Sequence, residues 1–171
     1  MCKLIYFNSN NQATNIEYYR FLDYAFEHTD YFMLVYINYY GKGYSHQAKQ
    51  IREALAPYQV KTRTDPRWPG TLGKCAKDTK YKIIFYKTEP AAKIVLKKVN
   101  ALSDWSYPLP EDLAFFKGCE CWFYSVGHEN IAAILRASNE DIKFLECYGL
   151  AERKNAREMT EYYLQYDEDR I

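Results

Sequence analysis

Along the first two thirds of the chain, short apolar runs alternate with segments whose apolar residues recur at helical spacing. KLIYF (3–7), YFMLVYINY (31–39) and YKIIFY (81–86) are rich in β-branched and aromatic residues and predict strands. Within each run the apolar residues are nearly continuous rather than alternating, which predicts a sheet covered on both faces. CWFYSV (121–126) and IAAIL (131–135) predict a strand pair joined through Gly127, His128, Glu129 and Asn130.

Helices are predicted between these runs. Thr14 and Glu17 fit a capping box, with Ile16, Tyr19, Leu22 and Phe26 on one face. Ser45 can cap a second helix in which Ala48, Ile51 and Leu55 share a face before Pro57 stops it. Pro90 suits the first turn of a third, with Ala91, Ile94, Val95 and Val99 inward. Ser138 and Asp141 open a fourth, whose Ile142, Leu145 and Tyr148 precede a stop at Gly149.

The order β-α-β-α-β-α, then a β-hairpin and a helix, predicts a single α/β domain over residues 1–150. Its sheet is expected to be mixed, with four or five strands and helices packed on it. The βαβ alternation carries right-handed crossovers and at least partly parallel pairing. Residues 59–79, with Pro66, Pro69, Gly70 and Gly73, read as a long loop of a kind that is often functional. Residues 151–171 read as a charged C-terminal extension packed on the domain or trailing from it.

At 171 residues one domain can bury a core without disulfide or metal staples. The cysteines, Cys2, Cys75, Cys119, Cys121 and Cys147, are odd in number and form no CxxC, which predicts reduced thiols. MCKLIYFNSN lacks the features of a signal peptide, and no apolar run is long enough to span a bilayer. A cytoplasmic location without membrane contact is therefore expected.

The net charge of +1 conceals a division along the chain. Residues 59–98 hold 11 basic and 3 acidic groups, whereas 101–171 hold 7 basic and 14 acidic. Such a division marks either an anion-binding face or two halves that neutralise each other. The 18 tyrosines point toward contact surfaces, because a large ring with a polar tip suits a half-wet interface.

The stretch CECWFYSVGHE (119–129) holds the densest chemistry. Cys121 is a candidate nucleophile, His128 its base and Glu129 the group that orients the ring, provided the hairpin brings them together. The plainer reading makes 127–130 a turn between two strands. Structural zinc needs paired Cys/His ligands, and Cys119, Cys121 and His128 have no second pair, so neither metal nor cofactor is expected. GKG (41–43) sits between a strand and a helix but lacks the spacing of a phosphate cradle.

The segment SYPLPEDLAFFKGCECWFYSVGHE resembles one found in a group of uncharacterised bacterial proteins, some labelled stage III sporulation protein AH. Their shared pattern, PEDL-x-FF followed by CW-x-x-S-x-x-HE, falls here on Pro110 to Phe116, then Cys121, Trp122, Ser125, His128 and Glu129. The resemblance implies a bacterial, soluble protein and carries no activity with it.

The expected function is therefore binding of another macromolecule, most simply a protein, as an inhibitor or immunity-type protein that masks its partner. Arg63, Arg67, Trp68 and Lys74 in the 59–79 loop are the expected contact residues, since Arg and Trp dominate binding energy at interfaces. One alternative is a small enzyme or nucleotide-binding protein using the His128 region. Another is a single-stranded nucleic-acid binder using the basic 59–98 segment.

Overall fold

The computed structural model describes residues 5–7, 15–71 and 81–152. The strands are β1 (Ile5–Phe7), β2 (Tyr31–Tyr36), β3 (Gln59–Asp65), β4 (Tyr81–Lys87), β5 (Glu111–Lys117), β6 (Glu120–Val126), β7 (Ile131–Ile134) and β8 (Ala151–Glu152). The helices are α1 (Asn15–His28), α2 (His46–Leu55), α3 (Pro90–Leu96) and α4 (Asn139–Cys147). Helices packed on a sheet confirm the α/β class.

The sheet itself corrects the expectation. Among the described residues it has eight strands in the order β3-β4-β2-β5-β6-β7-β1-β8, and every pairing is antiparallel. The helical crossovers do return the chain in a parallel direction, but each skips one or more strands. Helix α2 leads from β2 to β3 with β4 between them, and α3 leads from β4 to β5 with β2 between them. The expected parallel neighbours are thus separated by strands running the other way. Two of the strands that complete this arrangement, β3 and β5, were not predicted as strands.

Strand β3 replaces the first part of the expected 59–79 loop. It lies at an edge of the sheet, and most of its residues are exposed or half-buried. An edge strand tolerates the Lys, Arg and Thr of QVKTRTD, and charge there discourages pairing with other chains. Residues 66–71 form the turn that follows, while 72–80, including Lys74, lie outside the described residues. So do Cys2, Cys75, Thr14 and 153–171, the bulk of the expected C-terminal extension.

One face of the sheet carries all four helices. Tyr18, Phe21, Leu22 and Ala25 of α1, Ala48, Ile51 and Leu55 of α2, Ala92, Val95 and Leu96 of α3, and Leu145 of α4 pack with Phe32, Leu34, Ile84, Leu113 and Phe115. Three expected inward positions turn out instead: Ile16 is 54% exposed, Ile94 65%, and Ala91 is exposed as well. The buried stripes run instead through Tyr18 on α1 and through Ala92 and Val95 on α3, where the packing partners lie. Alternate strand residues, Met33, Val35, Ile83, Phe85 and Phe116, form a second core on the opposite face with Trp68. This explains the continuous apolar runs.

A bulge sharpens the core on β6. Phe115 pairs with Phe123 but Phe116 with Cys121, leaving Trp122 as the extra residue. Trp122 and Phe123 therefore both reach the helix-bearing face. Phe21 stacks on Trp122 at 6.4 Å and meets Phe123 at 4.5 Å, centroid to centroid. Trp122 and Phe115 are 4% and 0% exposed, as a covered strand requires. Among the described residues, no helix is long and apolar enough to cross a membrane.

Candidate functional site

A second bulge builds the most unusual site in the molecule. On β2 Met33 pairs with Ala114 and Val35 with Glu111, so two steps along β2 face three along β5. The extra residue is accommodated with Asp112 in the left-handed region, at φ 55°. Aspartate tolerates that conformation better than most residues. Bulges re-aim side chains, and this one turns two successive acids inward at the sheet end. Glu111 is 4% exposed and Asp112 2%.

Two donors hold the Asp112 carboxylate, and a third contact holds its backbone. The Trp68 indole donates to Oδ2 at 2.7 Å from the turn after β3. The Gly127 backbone donates to Oδ1 at 3.1 Å from the turn after β6. The Asp112 N–H donates to the Trp105 carbonyl at 3.3 Å. Gly127 suits its place because a Cβ there would lie 2.2 Å from that same carbonyl. Tyr39, in the turn after β2, donates its hydroxyl to Glu111.

His128 completes the group. Its ring nitrogen and one oxygen each of Glu111 and Asp112 all lie within 4.8 Å of one another. Burial pushes the Asp112 carboxyl up to about 6, against the hydrogen bonds from Trp68 and Gly127, which favour the anion. The neighbouring Glu111 adds to the rise and His128 opposes it. Burial first, and then the Glu111 carboxylate, push the Tyr39 phenol up.

The candidate dyad of Cys121 and His128 does not form, and residues 127–130 make the turn between two strands that the plainer reading gave them. Cys121 lies at one end of β6 and His128 beyond the other, separated by roughly 17 Å of extended strand. The Cys121 thiol is 4% exposed, donates to the Phe123 carbonyl at 3.4 Å, and is pushed up by burial, away from the reactive thiolate. His128 instead lies in the middle of a 3₁₀ turn, Gly127–Glu129, with the Glu129 carboxylate 3.6 Å from the imidazole. Cys119 and Cys147 are exposed. Gly41 and Gly43 belong to a turn closed by the Gly43 N–H on Asn38.

Of the expected contact residues, Arg63, Arg67 and Trp68 lie among the described residues, and Trp68 turns inward. Trp68 is 5% exposed, with its edge on Tyr81 and its N–H spent on Asp112. Arg63 lies over the Phe85 ring, and both Arg63 and Arg67 reach toward Asp65. The basic segment is partly neutralised as well, since Lys93 and Lys97 each approach Asp23 to 2.7 Å.

An open groove lies beyond the same loop. It encloses about 900 Å³ between α2 and residues 98–109, with Ile51, Val99 and Leu109 as apolar positions and Gln47, Gln50, Asn100 and Ser106 as polar ones. Trp105, fully buried, anchors that loop by donating to Tyr18, which donates to the Leu96 carbonyl. Tyr107 is 64% exposed at the rim and meets Tyr39 edge-on at 5.2 Å. The 101–109 loop therefore borders the groove on one side and the carboxylate–histidine cluster on the other.

Sequence reasoning found His128 but missed Glu111, Asp112, Tyr39 and the groove. The one available signal was the placement of Glu-Asp at the head of LAFF, where a covered strand would bury them. Together the fold and the site define an antiparallel α/β protein with a buried acidic cluster at one sheet end. No protein-family model, curated protein or solved structure matches the chain.

Proposed function

We propose that this is a protein-binding protein of inhibitor type, which takes an extended segment of its partner into the groove between α2 and the 101–109 loop. The observation that carries the reading is the groove's chemistry. Its lining combines amides, hydroxyls and a few apolar side chains with the charged Glu53, Lys98 and Asp104, and it includes no histidine or cysteine. Asp104, one of its two carboxylates, is engaged by the backbone N–H groups of Asn100 and Ala101. Such a lining recognises a backbone and neutral side chains more readily than it performs chemistry. Tyr107 supplies the kind of exposed, stiff aromatic that anchors interfaces. The loop bearing it is tied to the core through Trp105, so little order is lost on docking.

The test is site-specific photo-crosslinking from position 50, with position 61 on the exposed β3 edge as control. A single partner peptide captured only from position 50 is expected. Tyr107→Ala should then weaken the purified complex by at least about tenfold, and His128→Ala should leave it unchanged. Equal capture from both positions, or an affinity indifferent to Tyr107→Ala, would sink the proposal. Steep salt dependence with single-stranded nucleic acid would favour the basic segment instead.

A further inference from the structure

We infer that Glu111, Asp112 and His128 form a binding site for one divalent first-row cation, Mn²⁺ or Zn²⁺. The proposal is independent of the groove. Three potential ligand atoms of two chemical kinds converge within 4.8 Å. Two of them belong to carboxylates at least nine-tenths buried. Glu111 accepts from Tyr39 at Oε1. Two buried carboxylates side by side are costly unless a proton or a cation compensates them.

The supporting groups fit as well. Trp68 and Gly127 donate to the two Asp112 oxygens and fix the carboxylate's orientation, as outer hydrogen bonds do at metal sites. Each oxygen keeps a lone pair for a ligand bond. Ligand atoms around a six-coordinate ion with bonds of about 2.1 Å lie about 3 Å apart, so the group must draw together on binding. His128, with its side chain 56% exposed, has room to make that movement. Two carboxylates and one imidazole suit Mn²⁺ or Zn²⁺ better than a soft ion. Three protein ligands would leave further positions open toward solvent.

The experiment is calorimetric titration of the full chain, stripped with EDTA, using MnCl₂ and ZnCl₂ separately. One equivalent should bind, and each of His128→Ala and Glu111→Gln should weaken binding by at least about tenfold. His128 lies on the surface, so its variant should melt in EDTA at the wild-type temperature. A Cys119→Ser, Cys147→Ser variant should retain the zinc. The site is refuted by absence of binding up to about 1 mM of either ion. It is equally refuted by affinity indifferent to His128→Ala, or by zinc binding that disappears with the cysteines.

Discussion

Asp112 and Asp141 are both buried aspartates that accept a tryptophan N–H, yet their surroundings drive them apart. Asp141 sits in the capping box of α4. Its oxygens accept from the Ser138 backbone at 2.7 Å, Tyr24 at 2.9 Å and Trp122 at 3.4 Å. Burial opposes its charge, but the hydrogen bonds from Ser138 and Tyr24, and then Lys117, outweigh it and hold the carboxyl below its usual range. A helix N-terminus adds a favourable field. Asp112 has two donors, a second carboxylate beside it and left-handed backbone beneath it. Here burial wins and the carboxyl rises. A full complement of donors makes a buried acid part of the scaffold; too few beside a like charge leave it waiting for a proton or a cation.

The largest expected effect probes the scaffold side. Trp122→Ala removes the ring stacked on Phe21 along with a donor to Asp141. It should cost about 3–5 kcal/mol in chemical denaturation. An unchanged melting temperature would contradict the packing described.

Asp141→Ala should cost about 2–4 kcal/mol at pH 7, combining the lost cap with stranded buried donors. Because the folded carboxyl is held below its ordinary value near 3.9, its contribution is present above that pH and lost on acidification. The penalty of Asp141→Ala should therefore shrink as urea denaturation is repeated from pH 7 toward pH 3.

Asp112→Asn should be milder, within about 1 kcal/mol of wild type at pH 8 in metal-free protein. The sign of its pH dependence is reversed. A carboxyl raised to about 6 favours the fold in its protonated form, a contribution present below the ordinary value and lost as pH rises through 6. The variant should therefore gain on wild type between pH 4 and pH 8. Parallel pH profiles for the Asp112 and Asp141 variants would erase the distinction between the two sites.

The smallest effect belongs to an exposed control. Asp23 is 45% exposed and meets Lys93 and Lys97, whose hydrogen bonds, against the cost of burial, hold its carboxyl low. Asp23→Asn should cost only about 0.2–1 kcal/mol, declining with added salt. A larger, salt-insensitive loss in thermal denaturation would show that the pair matters to the α1–α3 contact.

Local signals determined much of the framework. Ser45 and Ser138 cap α2 and α4, with the Ala48 and Asp141 N–H groups on their hydroxyls, and Pro90 opens α3, because capping is decided within one turn of chain. The apolar runs of β2, β4, β6 and β7 were legible for the same reason. β3 was not, since a charged edge strand lacks an apolar signature and depends on its partner for hydrogen bonds. Nor was the order of strands, because a βαβ pattern records chain direction and leaves open what is inserted between its strands. The candidate site lies wholly in that second category. Trp68, Asp112 and Gly127 are far apart in sequence and meet only through the β5 bulge and the packing of three turns. Residue pattern decided which strands and helices form; long-range pairing alone decided that two acids and a histidine would share one end of the sheet.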